Sequence, residues 1–226
     1  MMKMKLHMFW LLGVFFLLTA CGDDDDYYYP SVKLEFVTVE SGTDGKIQTL
    51  IPDRGEALPV SKDRTGSTIG ANTSRRVLSN YEVLSEGKGM SAEIYSLQAL
   101  LTLVPKPADD PAYKDGLVHD PVEVVSIWLG KDYLNMILNL KVDTGKGHTF
   151  GMVQDSFAGG IVDLTLYHNA NGDGEVYNRR AYITVPLSQY KEEANPGNPI
   201  KINFEYYTYG KDTPEKYSFE YIPGAN

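Results

Sequence analysis

The sequence predicts an all-β protein in which a small barrel is followed by an antiparallel β-sandwich. Apolar and polar residues alternate with a period of two in many short segments, which is typical of strands with one buried face. Clusters of Gly, Asn and Asp separate these segments and supply turns. A proline-rich stretch at residues 105–116 cannot continue a strand ladder or a helix, so we interpret it as a linker between two domains.

Residues 30–104 are predicted to form the barrel. Val32, Leu34 and Phe36 alternate with charged residues and therefore share one face of a first strand. Residues 66–74 lack periodicity and are interpreted as a plain connecting loop. The predicted strands are 32–36, 46–50, 57–60, 76–84 and 92–104, and five strands over about 75 residues fit a small barrel.

Residues 117–226 are predicted to form the sandwich from consecutive hairpins. Alternation is clearest at 133–142, where the even-numbered residues from Leu134 to Val142 are all apolar. A helical segment is limited to a single turn at 187–193, because a Pro- and Gly-rich run follows it. The predicted hairpins pair 124–129 with 133–142, 161–168 with 177–186, and 200–209 with 217–222.

Composition excludes several classes of protein. The chain has 226 residues, of which 42% are hydrophobic and 23% charged, as in ordered globular proteins. Beyond the N-terminus it contains no apolar run long enough to cross a membrane. A net charge of -9 argues against a nucleic-acid partner.

Residues 1–20 have the features of a secretory signal peptide. Lys3 and Lys5 precede an apolar stretch at 8–18, which is too short to serve as a transmembrane anchor. The stretch ends just before Cys21, the only cysteine, in a Leu-Thr-Ala-Cys sequence that resembles the bacterial lipobox. In lipobox proteins signal peptidase II cleaves before a lipid-modified cysteine. We therefore expect Cys21 to carry fatty acyl chains such as palmitate, rather than to be an ordinary buried thiol.

Residues 21–29 are predicted to be an acidic tether between the lipid and the barrel. Four consecutive aspartates at 23–26 repel one another and favour an extended chain. An acidic run directly after a lipidated cysteine resembles the signal that exports Bacteroidetes lipoproteins to the cell surface. The predicted location is thus the outer membrane, facing outward, with attachment to the membrane through Cys21.

Several motifs together resemble the NigD-like lipoproteins of Bacteroidetes. They are the lipobox, the aspartate run, the Tyr-Tyr-Tyr-Pro sequence at 27–30, the Ile-Tyr-Ser-Leu sequence at 94–97 and the turn sequence at 167–173. The resemblance implies an N-terminal OB-type barrel and a C-terminal β-sandwich. It also implies a link to bacteriocin operons, for which an immunity role has been suggested, and it supplies no catalytic residues.

No metal or cofactor site is predicted. The segment from Asn169 to Gly174 copies the first half of an EF-hand loop, but Arg180 stands where a bidentate glutamate is required. Asn and Asp-Gly also suit a tight turn, which is the favoured interpretation. The histidines His119, His148 and His168 have no zinc-ligand spacing.

The sequence contains no pattern that indicates an enzyme. Ser156, His148 and Asp155 could be assembled into a triad, but no nucleophile elbow is present. Acidic residues are numerous, and nothing marks a pair of them as the carboxylates of a glycosidase. A hydrolase is therefore the least favoured class.

Aromatic residues are the remaining candidates for a binding surface. Trp128 and Tyr133 flank the first hairpin turn of the sandwich, and Tyr207 and Tyr209 are expected on the outward face of a later strand. Flat aromatic side chains beside polar groups suit sugar rings or peptides. The alternative is cross-strand pairing that only stabilises the sheet.

These observations predict a lipid-anchored, non-catalytic binding module. Its expected partners are the membrane, through the lipid, and an extracellular glycan, peptide or envelope protein. The alternative class is a bacteriocin immunity protein or a structural envelope lipoprotein.

Overall fold

The first domain is a closed five-stranded barrel. The fold is that of a computed structural model, which describes residues 31–86, 89–194 and 197–223. The barrel strands are β1 (Val32–Ser41), β2 (Ile47–Pro52), β3 (Leu58–Asp63), β4 (Ser74–Glu86) and β5 (Gly89–Ala99). They close in the order β1-β2-β3-β5-β4, with β3 and β5 parallel and the other described pairs antiparallel. The prediction of a small barrel is confirmed.

The alternating apolar residues predicted at the start of β1 lie on the outside of the barrel. Val37 and Val39 are fully buried in the barrel core, so the residues that alternate with them point outward. Val32, Leu34 and Phe36 share a face, as predicted, and it is this outer one. Leu34 is 61% exposed, whereas Phe36 is buried because the second domain covers it.

The second domain is a sandwich of two sheets. Its strands are β6 (Leu101–Thr102), β7 (Pro105–Pro107), β8 (Glu123–Gly130), β9 (Tyr133–Val142), β10 (Thr149–Ala158), β11 (Ile161–Asn169), β12 (Tyr177–Pro186), β13 (Ile200–Tyr206) and β14 (Glu215–Tyr221). One sheet has the order β14-β13-β11-β10-β7 and the other β6-β12-β9-β8. Short 3₁₀ turns occur at Pro111–Tyr113 and Ser188–Tyr190.

Two of the three predicted hairpins are confirmed, and one is wrong. Strands β8 and β9 pair, as do β13 and β14. Strands β11 and β12 lie in different sheets, so the turn at 169–174 carries the chain across the sandwich. The hairpin partner of β11 is β10, a strand that is not predicted because a bulge between Gln154 and Ser156 breaks its alternation, and β13 pairs with β11 on the other side.

The predicted linker is partly a strand. Pro105–Pro107 pairs in parallel with β10 at the edge of its sheet. An edge strand tolerates proline because the missing N–H groups can face away from the neighbouring strand. Farther along, Tyr113 is buried and its hydroxyl donates to the Met152 carbonyl at 3.1 Å. The chain therefore enters the sandwich near residue 101, within the segment 92–104 that was predicted to be one strand.

The alternation of β9 is confirmed, and both of its faces are covered. Its even-numbered residues, from Leu134 to Val142, are buried in the core between the sheets. Asn135 lies on the opposite face and is also fully buried, because the barrel packs there. No helix in the described part of the chain is long and apolar enough to cross a membrane.

Tyr190 is expected to make the sandwich sensitive to alkaline pH. Its side chain is buried and its hydroxyl donates to Gln154 Oε1 at 2.6 Å. Burial raises the pKa of Tyr190 to about 12. Because the ordinary value of about 10 applies in the unfolded chain, the stabilising contribution is present below about pH 10 and is lost as the pH rises toward 12.

The measurement is denaturant unfolding as a function of pH. At about pH 11 the Tyr190→Phe variant should lose about 1 kcal/mol less of its neutral-pH stability than the unmodified protein. Tyr177→Phe, at a position 54% exposed, is the matched control and should follow the unmodified protein. Identical pH profiles for all three proteins would contradict this role of Tyr190.

Candidate functional site

A buried polar network joins the barrel to the sandwich. Arg76 of β4 points out of the barrel, and its side chain is 1% exposed. Its guanidinium forms an ion pair with Asp53, which follows β2, and donates to Asn135 Oδ1 of β9 at 3.3 Å. The ring of Tyr133 lies 4.9 Å from the guanidinium carbon, a cation–π distance. A buried charge with these partners holds the two domains in register.

Asp53 is the acceptor at the centre of this network. Its second carboxylate oxygen accepts from Trp128 Nε1 at 3.0 Å and from Asn135 Nδ2 at 3.3 Å. Thr184 of β12 in turn donates to Asn135 Oδ1 at 2.9 Å. The network therefore contains groups from β4, β8, β9 and β12, together with the turn after β2.

Gly130, at the end of β8, allows Asp53 to approach. A Cβ atom built on Gly130 would overlap the Asp53 carboxylate. The glycine is thus required by this close approach and not by a left-handed backbone conformation.

An apolar cluster lies beside the network. Phe36 contacts Trp128, with ring centroids 5.0 Å apart, and Tyr182, with centroids 6.2 Å apart in an edge arrangement. Leu78 and Leu100 complete the buried part of the cluster, and Ile137 packs against it. Offset and edge contacts of this kind are favourable for aromatic rings.

A groove of about 370 Å³ opens next to this cluster, and we call it the junction groove. Its floor is aromatic and aliphatic, whereas Glu35, Arg54 and Arg180 are exposed at its borders. The lining residues are Leu34, Glu35, Phe36, Asp53, Arg54, Leu78, Trp128, Leu129, Ile137, Arg180 and Tyr182. Both domains contribute, so the groove exists only when they are packed together.

The four aromatic residues singled out from the sequence occupy two places. Trp128 lines the junction groove, and Tyr133 lies under the Arg76 guanidinium. Tyr207 stacks on His119 with centroids 5.1 Å apart, and the Tyr209 hydroxyl accepts from the Lys141 backbone N–H at 2.9 Å. Strand β13 ends at Tyr206, so the latter two tyrosines follow the strand and do not form an outward face on it.

The fold brings together two histidines that are distant in sequence. His168 is 1% exposed, and its Nδ1 lies 2.9 Å from the Asp120 carbonyl oxygen. That nitrogen must be the donor, so His168 Nε2 accepts the 2.9 Å hydrogen bond from His148 Nδ1. His148 Nε2 faces the Asp173 carboxylate at 3.5 Å. Burial lowers the pKa of His168, and we interpret the pair as a structural element.

The polar groups of the turn at 169–174 form hydrogen bonds within the protein itself. Asn169 Oδ1 accepts from the Asn171 N–H at 2.7 Å, and Asn171 has a positive φ of 54°. Asp173 accepts from the hydroxyl and the N–H of Thr144. The Thr144 hydroxyl and neighbouring backbone N–H groups lower the pKa of Asp173. These bonds support the interpretation as a turn.

Ser156, His148 and Asp155 do not come together. Ser156 donates to Asp163 Oδ2 at 2.5 Å, and Asp155 accepts from the Thr165 hydroxyl at 2.6 Å. Within the described ranges no group of three or more His, Cys, Asp or Glu side chains could hold a metal ion. Cys21 and the predicted signal peptide and tether lie outside the described residues.

The fold defines a class of two-domain β protein, with an OB-type barrel followed by a β-sandwich. The family model of the NigD-like N-terminal OB domain matches residues 36–100, and that of the NigD-like C-terminal beta sandwich domain matches residues 105–221. The chain therefore belongs to the NigD-like family, as its motifs predicted.

Solved structures of similar proteins agree with this assignment. A NigD-like immunity protein from Bacteroides caccae is 65% identical, with a TM-score of 0.75, over 87% of this chain and 100% of that one. A candidate toxin-related protein from Parabacteroides distasonis is 18% identical, with a TM-score of 0.70, over 84% and 93%. A candidate lipoprotein from Bacteroides fragilis is 14% identical, with a TM-score of 0.59, over 87% and 99%. The last two show the shared fold alone. The comparison with curated proteins found no match.

Proposed function

We propose that this protein is a lipid-anchored, non-catalytic recognition module on the outer surface of the outer membrane. The junction groove carries the proposal. It combines an aromatic floor with exposed arginines on a scaffold held by a buried ion pair. Grooves that are mostly apolar and contain a few placed polar groups are typical of ligand sites.

The ligand class that fits the groove is a glycan or a peptide with a flat apolar face. Trp128 and Tyr182 offer ring surfaces for stacking, and Arg54 and Arg180 offer donors at the borders. The soluble chain from Gly22 onward retains every described residue. Glycan arrays and pull-down from envelope extracts with this chain test the proposal, and repeated absence of any ligand would count against it.

Leu34→Ala is expected to weaken binding of any ligand found in this way by about fivefold. Leu34 is 61% exposed and lines the groove, so its truncation removes ligand contact without opening a cavity. Val32→Ala is the matched control, because Val32 lies on the same face of β1 outside the groove lining. Equal affinities for the two variants, measured by titration calorimetry, would place the ligand elsewhere.

Cys21→Ala is expected to abolish attachment to the outer membrane. Two or three acyl chains bind a bilayer almost irreversibly, and no other anchor is predicted from the sequence. Fractionation of cells, protease treatment of intact cells and mass spectrometry of residue 21 measure attachment, exposure and lipid in turn. Outer-membrane association of the alanine variant, or an unmodified thiol in the native protein, would contradict the proposed anchor.

Immunity is the second candidate function. It is favoured by the 65% identity to a protein named as a NigD-like immunity protein. In that role the bound ligand would be a bacteriocin. Greater sensitivity of a deletion strain to a bacteriocin encoded by neighbouring genes would favour immunity, whereas neighbouring polysaccharide-uptake genes would favour glycan capture.

A further inference from the structure

Strand β12 has one open edge along its first half. On one side it pairs with β9 from Tyr177 to Pro186, but on the other side β6 pairs only with Ile183 and Thr184. The Leu103 N–H donates to the Thr184 carbonyl at 2.9 Å, so the Thr184 backbone faces the β6 side. Strand geometry repeats every two residues, which turns the backbone groups of Arg180 and Asn178 to that side as well. Among the described strands, none pairs with residues 177–181 there.

A groove of about 340 Å³ runs along this edge, and we call it the edge groove. Arg179 and Arg180 both line it. Neighbouring residues in a strand point to opposite faces, so the groove must follow the edge of β12 and not one of its faces. Its apolar lining includes Leu140 and Phe150.

The edge groove is basic although the protein is acidic. The chain contains 30 acidic and 21 basic residues, yet Lys146, Arg179 and Arg180 line this groove and no described lining residue is a carboxylate. In the described part of the chain, no carboxylate forms an ion pair with Arg179 or Arg180. Lys146 is held in place by donating to the Gly172 carbonyl at 3.2 Å.

We propose that the edge groove binds an extended acidic polypeptide segment as an additional strand beside residues 177–181. The outward N–H and C=O groups of Asn178 and Arg180 pair with the backbone of the segment, as in other cases of strand addition. Alternate side chains of the segment contact Leu140 and Phe150 on the face that Arg179 shares with Leu140, and the remaining ones place carboxylates near Arg180 on the opposite face. Charge complementarity selects an acidic segment over a basic one.

This site is separate from the junction groove, although Arg180 and Tyr182 border both. It goes beyond the proposed function, because it concerns a backbone edge and an acidic partner instead of an aromatic floor. An open strand edge is a surface that proteins usually cover or protect. The exposed side chains of Leu101 and Tyr177 beside this edge agree with a surface that a partner covers.

The first test uses a peptide of about seven residues that alternates glutamate and valine, labelled for fluorescence anisotropy. It should bind the chain from Gly22 onward, and a peptide with lysine in place of glutamate should not. Arg180→Gln and Lys146→Gln should each weaken binding by up to about fivefold and reduce its salt dependence. Lys114→Gln, at an exposed position outside the groove, is the matched control and should leave binding unchanged.

The second test separates strand addition from simple charge attraction. Asn178→Pro removes an N–H that faces the open edge and leaves the pairing with β9 intact, so it should weaken peptide binding by about fivefold. Asn178→Ala keeps the N–H and should bind like the unmodified protein. Circular dichroism and thermal unfolding check that both variants are folded, and Leu34→Ala, in the junction groove, should bind the peptide normally.

Three outcomes would overturn the proposal. Equal binding by Asn178→Pro and Asn178→Ala would show that strand addition does not occur. Equal binding of the glutamate and lysine peptides would remove the charge argument. Dimers that form without peptide and that Asn178→Pro dissociates, seen by light scattering, would show that a second copy of the chain occupies the edge.

Discussion

Replacing Asp53 with alanine is expected to lower the free energy of unfolding by about 3–5 kcal/mol, because it leaves the buried Arg76 charge without its counter-ion. The partners that remain for the guanidinium are weak, since Asn135 Oδ1 is 3.3 Å away and Thr38 Oγ1 is 3.4 Å away. The same substitution removes the acceptor of the Trp128 indole N–H. Denaturant unfolding followed by Trp128 fluorescence measures the loss at the junction itself.

Two further variants test the explanation for Asp53. Glu205→Ala removes the partner of Lys216 in an exposed ion pair and should cost less than about 1 kcal/mol. Adding Arg76→Met to Asp53→Ala removes the uncompensated charge and should restore part of the stability. If Asp53→Ala lowers the free energy of unfolding by no more than Glu205→Ala does, the ion pair between Asp53 and Arg76 is screened by solvent and does not hold the domains together.

Gly130→Ala is expected to lower the free energy of unfolding by about 2–4 kcal/mol, because the added Cβ displaces the Asp53 carboxylate from Arg76. The backbone of Gly130 lies in a strand, so alanine meets no conformational barrier there. The entire effect therefore comes from overlap with one side chain of the other domain. Thermal and denaturant unfolding measure it.

The control and the double variant identify the source of this effect. Gly147→Ala adds a Cβ to open space and should change stability by less than about 0.5 kcal/mol. In an Asp53→Ala background the added methyl group of Gly130→Ala meets no carboxylate, so the double variant should be scarcely less stable than Asp53→Ala alone. Simple addition of the two losses would contradict the proposed contact.

The candidate site was only partly predictable from the sequence. Trp128 was singled out as an aromatic beside a turn, and it does line the junction groove. Nothing in the sequence indicates that Asp53 and Arg76 meet at the junction between the domains. Asp53 lies in a turn, and Arg76 lies in a strand that is predicted only as part of the barrel. Asn135 offered a weak one, since an asparagine within a strong apolar alternation has to find hydrogen-bond partners if its outer face is covered.

The pairing of strands was also only partly predictable from the sequence. The hairpin of β8 and β9 follows from a short turn between two alternating segments, which is local information. The connection from β11 to β12 has equally good turn residues, yet it crosses between sheets. Turn residues predict that the chain reverses direction. They do not predict whether the next strand pairs with the previous one.

The amino-acid sequence alone determined that this protein is made of strands, which residues share a face in β1 and β9, and which two domains follow one another. Tertiary structure decided which of those faces are covered, which sheet each strand joins, and that Asp53 meets Arg76, Trp128 and Gly130. The reason is physical. Alternation arises from the geometry of a single strand, whereas burial of its second face depends on another domain packing against it.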